Sequence, residues 1–136
     1  MNNDFFNKNI NLLKKFHFDE FEIYNKIINN GDYTKGNFGY VKNPEGIIIP
    51  VNLKSKIMMY DYHNPFETLK KNFLKTNKKS GYYFILGLGA GYHIKILKSI
   101  YPNALVICFE NNIELFDIVM HSVDLSELFS DPSFKL

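Results

Sequence analysis

The chain has 136 residues, 46% hydrophobic and 22% charged, with thirteen Phe and nine Tyr. That composition suits one globular domain and excludes a disordered or low-complexity polymer. Sixteen basic and 14 acidic residues leave a net charge of +2, too even for a polyelectrolyte binder. All the basic residues are Lys. Without Arg the bidentate fork for phosphates and guanine edges is missing, so no nucleic-acid partner is expected.

A single cysteine, Cys108, excludes an internal disulfide and fits a reducing compartment. It reads as a small buried hydrophobe in a strand. The opening MNNDFFNKN has no basic stretch followed by an apolar run. Apolar runs such as Tyr82 to Leu86 fall far short of the ~20 residues that span a bilayer. A cytoplasmic protein without a membrane partner is the expectation.

In chain order, Phe5, Ile10, Leu12, Leu13 and Phe16 recur at helical spacing, and Phe18, Phe21, Ile23, Tyr24, Ile27 and Ile28 continue or follow that helix. Asn29 to Asp32 break the pattern. Tyr33 to Asp61 reads as a small antiparallel meander, with turns at Gly36, Gly39 and Asn43-Pro44-Glu45-Gly46 and strands at Ile47 to Val51 and Ile57 to Tyr60. Asn64-Pro65-Phe66-Glu67 is a helix start, with Asn64 as cap and Pro65 in the first position, and the helix runs to about Thr76. Lys70, Lys71, Lys75, Lys78 and Lys79, on or just past that helix, form a solvated face or a patch for a phosphate or an acidic partner.

Residues 80–136 are more regular. Tyr82 to Leu86 reads as a buried parallel strand, Gly87-Leu88-Gly89-Ala90-Gly91 as a turn, and Tyr92 to Ile100 as a helix. Ala104 to Phe109 is a second buried strand. Asn111 is placed to cap a helix holding Leu115, Phe116, Val119 and Met120, and Phe134 to Leu136 begins a third strand. The fold class is therefore α/β: an N-terminal helix and small antiparallel β meander, then a partial Rossmann-like βαβαβ unit with parallel strands. The expected division is 1–79 for helix, meander and linking helix, and 80–136 for the Rossmann-like unit, cut short before further strands.

A glycine turn from strand to helix lets a ligand approach the backbone and aims amides and a helix N-terminus at an anion. Glu110 ends the next strand 19 residues past Gly91, where Rossmann-like sites place an acid against a ribose. Gly87, Gly89, Gly91, Tyr92, His93, Glu110 and Asn111 are thus candidate ligand-binding residues for a nucleotide or nucleotide sugar. Tyr62, His63, Asn64 and Pro65 form a helix start that is either structural or turned to the same cleft. His93 either meets a phosphate or caps its helix. The glycines also fit a plain tight turn with close helix packing, or a vestigial or partner-binding loop. The dinucleotide fingerprint needs Gly where Tyr92 or Ile94 stands, no register of the methyltransferase pattern keeps every element, and there is no P-loop. No cluster has metal-ligand spacing and no nucleophile elbow occurs, so no catalytic residue, metal or resident cofactor is assigned.

Tyr62-His63-Asn64-Pro65-Phe66-Glu67, the lysine-rich helix, Phe84-Ile85-Leu86-Gly87-Leu88-Gly89-Ala90-Gly91-Tyr92-His93-Ile94 and Phe109-Glu110-Asn111-Asn112 together resemble the motility-associated factor glycosyltransferases. Phe6 to Leu13 is similar to that family's N-terminal helix. Asn111 stands where Pro is usual, and Ala90 where Leu is common. The resemblance implies glycosylation of flagellin from CMP-linked nonulosonic acids such as pseudaminic or legionaminic acid. It also places catalysis in a later central domain, so residues 1–136 inherit no catalytic role. The implied part is an N-terminal domain of an enzyme, inactive alone, serving assembly, positioning or acceptor binding, with flagellin and a nucleotide sugar as partners. The alternatives are an S-adenosylmethionine-dependent methyltransferase-like nucleotide-binding domain and a protein interaction module with a vestigial glycine loop. An exposed sheet edge at Phe134 to Leu136 would invite homo-oligomers.

Overall fold

A computed structural model describes residues 3–76 and 79–136. Lys78 of the lysine group lies outside the described residues; Lys70, Lys71, Lys75 and Lys79 are exposed. The N-terminal apolar pattern forms two helices, α1 (Asn3–Phe16) and α2 (Phe18–Asn30). His17 separates them with a bent backbone, while its ring lies buried between Phe129 and Phe134, 3.1 Å from the Phe129 carbonyl. Gly31 ends α2 in the left-handed conformation. Its N–H donates to Ile28 and that of Asp32 to Ile27, which closes the last turn.

Strands β1 (Phe38–Lys42) and β2 (Ile48–Asn52) pair antiparallel, with Tyr40 opposite Pro50. Asn43 closes their turn by accepting from the N–H groups of Glu45 and Ile47. Gly39, expected in a turn, lies within β1. The third meander strand expected at Ile57 to Tyr60 is reduced to one bridge, Val51 to Met58. Asn52 Oδ1 accepts from the N–H groups of Lys54 and Ser55, and this turn brings the chain back beside β2, where Asn52 N–H donates to the Ile57 carbonyl and Met59 N–H to the Pro50 carbonyl. Helix α3 (Pro65–Thr76) starts at the expected proline, preceded by Asp61, whose carboxylate accepts from the N–H groups of His63 and Asn64.

The remainder is β3 (Tyr82–Leu86), α4 (Tyr92–Ile100), β4 (Leu105–Phe109), α5 (Ile113–Ser122), α6 (Ser126–Phe129) and β5 (Phe134–Lys135). The three strands form a parallel sheet in the order β3-β4-β5, as the α/β reading requires. Asn112, not Asn111, caps α5, accepting from Leu115 N–H at 3.0 Å. The shift of one residue follows from Glu110, whose Oε1 holds the Asn112 N–H at 2.7 Å.

The two strands expected to be buried on both faces are buried on one. Tyr83, Ile85, Val106, Cys108 and Phe134 face the core, whereas Tyr82, Phe84, Leu86, Leu105 and Phe109 are exposed on the other side. Residues 3–76 and 79–136 share that core: Leu13, Tyr24 and Ile49 lie with Leu88, Ile94, Val106, Met120 and Phe129. The polar links are equally long-range. Asn9, fully buried, donates to the carbonyls of Met120 and Val123 at 3.0 and 2.7 Å and accepts from Leu125 N–H at 3.0 Å. Glu114, buried at the start of α5, accepts from the N–H groups of Gly36, Asn37 and Phe38 and from the Asn37 amide. These bonds hold its carboxyl below the usual range against the opposing effect of desolvation. Asp117 receives the hydroxyls of Tyr24 and Tyr33.

Candidate functional site

The C-terminal ends of β3 and β4 open into a cleft of about 470 Å³, lined by Gly87, Gly89, His93, Glu110 and Asn111 together with Phe38, Met59, Tyr60, Leu69, Leu86, Asn112 and Leu115. Crevices at this end of a parallel sheet are where α/β folds hold ligands. Five of the candidate residues therefore meet in one place. Gly91 and Tyr92 turn away from it. A Cβ on Gly91 would come within 3.2 Å of Leu128, so that glycine serves the packing of α4 on the segment around α6. Tyr92 is buried and donates to the Ile48 carbonyl at 2.8 Å, and burial pushes its phenol up to about 12. Tyr62 donates to the Lys42 carbonyl, Pro65 is buried, and His63 and Asn64 are exposed beside Asp61; none of the four is among the residues lining the cleft.

Gly87, Gly89 and Gly91 all adopt positive φ, at 90°, 51° and 76°. That conformation strains any residue with a side chain, which explains the run of alternate glycines. Four of the five amides from Gly87 to Gly91 are claimed from within the protein. Gly87 N–H extends the ladder to the Phe109 carbonyl at 2.7 Å. Leu88 N–H donates to Glu110 Oε2 at 2.9 Å, so Glu110 clips the loop with one oxygen and the start of α5 with the other. Ala90 N–H donates to the Tyr60 hydroxyl at 3.2 Å. Gly91 N–H turns back to the Leu88 carbonyl.

Tyr60 is the residue that glycine spacing could not reveal. Its hydroxyl lies 2.7 Å from where a Cβ on Gly89 would stand, a close approach that only the glycine allows. It also bonds His93 Nδ1 at 3.0 Å, while His93 Nε2 lies 3.0 Å from the Gly87 carbonyl. A carbonyl only accepts, so Nε2 carries the proton and Nδ1 accepts from the phenol. The relay then runs from Ala90 N–H to Tyr60 to His93 to the Gly87 carbonyl with every donor matched, and it needs the neutral imidazole. Burial lowers the pKa of His93 accordingly, outweighing the Gly87 bond and the charge of Glu110. With both ring nitrogens engaged, His93 braces the loop in this arrangement. Cys108 is buried in β4, its thiol pushed up to about 12 by burial, and behaves as the expected buried hydrophobe. Among the described residues no group of His, Cys, Asp and Glu is placed to hold a metal ion, and no helix is long and apolar enough to cross a membrane.

The parallel three-strand sheet, its glycine turn and the helix that follows define an α/β domain of Rossmann-like build with an internally braced loop. Comparison with known proteins gives the family. The model of the glycosyltransferase Maf N-terminal domain matches residues 39–133, and the chain belongs to that family. Among solved structures it is similar to the Maf glycosyltransferase from Magnetospirillum magneticum AMB-1, at 13% identity and a TM-score of 0.63. The match covers 96% of this chain and 26% of that one, so this chain spans about a quarter of its neighbour's length. No curated protein matches the sequence.

Proposed function

We propose that this chain acts in the cytoplasm as the N-terminal, non-catalytic domain of a flagellin-modifying glycosyltransferase using CMP-linked nonulosonic acid donors. Its contribution is assembly, positioning or acceptor binding. Membership of the Maf N-terminal domain family supports the context. The observation that carries the non-catalytic reading is the plugged loop: Tyr60 and Glu110 fill the hydrogen-bonding positions that an anion or ribose would take. A loop with four of its five N–H groups already bonded favours architecture over ligand capture.

A second reading keeps the cleft as a nucleoside site, because it gathers Gly87, Gly89, His93, Glu110 and Asn111 in a volume that suits a small ligand. A ligand there that takes the Ala90 N–H must displace the Tyr60 hydroxyl. Thermal shift with CMP, CMP-linked sugars, S-adenosylmethionine, S-adenosylhomocysteine and NAD separates the two, with Gly89→Val and Glu110→Ala as controls. A ligand at 100 times its dissociation constant stabilises by about 2.7 kcal/mol. The plugged loop gives no shift with any compound. A shift with S-adenosylmethionine that both substitutions abolish overturns the glycosyltransferase-domain reading. A shift with CMP compounds makes this domain part of the donor site.

A further inference from the structure

The exposed face of the parallel sheet is a regular apolar grid. Register pairs Tyr82 with Leu105, Phe84 with Ile107 and Leu86 with Phe109, all on the same side. Tyr82, Phe84, Leu86 and Phe109 are 62%, 65%, 86% and 55% exposed. Parallel sheets are almost always covered on both faces, since their strands are apolar throughout. With roughly 200 Å² for each aromatic side chain, this face offers on the order of 500 Å² of apolar surface. That is at the upper limit for a patch on a monomer, and more than half of the roughly 800 Å² each partner contributes to a standard interface.

We propose that the same face of a second copy of this chain covers this surface, as a two-fold sheet-on-sheet interface. The grid is apolar except for Lys135, which pairs with Ile107 at its margin. It therefore offers little to select a partner by charge, and little repels its own copy. A two-fold contact needs only a self-complementary patch, which a flat apolar grid supplies. The edge at β5 is the poorer candidate: the strand has two residues, and Phe134 is fully buried in its own core. Leu86 belongs both to the grid and to the lining of the cleft, so the second copy also forms part of the cleft's surroundings.

Sedimentation equilibrium across the micromolar range tests this on the whole chain. The expected result is a dimer whose dissociation constant rises at least tenfold in Phe84→Glu and in Leu86→Glu. Val41→Glu, at an exposed apolar position on β1, should leave it unchanged. Far-UV circular dichroism checks that each variant is folded, and the near-complete exposure of Leu86 keeps that variant informative if Phe84→Glu misfolds. A wild-type monomer throughout the range overturns the proposal. So does a dimer that both sheet-face variants leave intact, because its interface then lies elsewhere.

Discussion

If Gly89 is required because Tyr60 occupies the space above it, the cost of a side chain there must depend on the Tyr60 hydroxyl. Gly89→Ala places a residue with a Cβ at φ 51°, which costs about 1–2 kcal/mol in the left-handed region. Its Cβ would also stand 2.7 Å from the Tyr60 oxygen. That oxygen is the end of a buried side chain held by two hydrogen bonds, so moving it loosens both, at about 1 kcal/mol each. The single substitution should cost about 3–4 kcal/mol. In a Tyr60→Phe background the next neighbour is the ring carbon at 3.5 Å, an ordinary contact, and only the backbone strain of about 1–2 kcal/mol remains. The two substitutions should therefore couple favourably by about 2 kcal/mol. Urea unfolding followed by far-UV circular dichroism measures all four proteins, the chain having no Trp. Costs that add to within about 0.5 kcal/mol would refute the close-approach argument.

Asn9→Leu should cost about 3–5 kcal/mol in the same assay, since it strands two carbonyls and one N–H in a dry environment; a loss below about 1 kcal/mol contradicts the accounting. Glu114→Gln should cost about 1–2 kcal/mol, because an amide turned to serve the backbone N–H groups sets a second NH₂ against the Asn37 amide. Hydrogen exchange at Gly36 to Phe38 should then accelerate, and unchanged protection argues against that role. His17 and His93 are both held neutral by burial, with pKa values below 6.5. Below that pH the unfolded chain binds protons that the folded chain refuses, so stability should fall as pH drops from about 7 towards 5 and be flat above about 7. A His17→Gln, His93→Gln double variant should lose most of that slope; a flat wild-type urea midpoint between those pH values contradicts the assignment.

What the sequence revealed, and what it hid, follows from the range of each interaction. The start of α3 was legible because Asn64-Pro65 acts on its own neighbours, and the β3–glycine–α4 unit because strand, turn and helix are contiguous. The exposure of Tyr82, Phe84 and Leu86 was hidden because outward and inward residues of β3 are equally apolar, so no alternation betrays the bare face. Tyr60 was hidden because its partners Ala90 and His93 lie about thirty residues on. Asn9 left one readable trace: it interrupts the apolar stripe of Phe6 and Leu13 at helical spacing, where a polar residue needs a buried partner. Glu114 left none, since a carboxylate in a first helical turn is an ordinary sight.

The bonds of Asn9 also set a timetable for synthesis. Its partners are 111 to 116 residues further along the chain. At ribosomal speeds of about 5–20 residues per second, α1 is made roughly 6–23 s before the peptide groups that receive it. Through that interval the apolar stripe of α1 has neither α5 nor α6 to lie against, so α1 is made well before it can be docked there. Until then the nascent chain offers that stripe to aggregation and to chaperones.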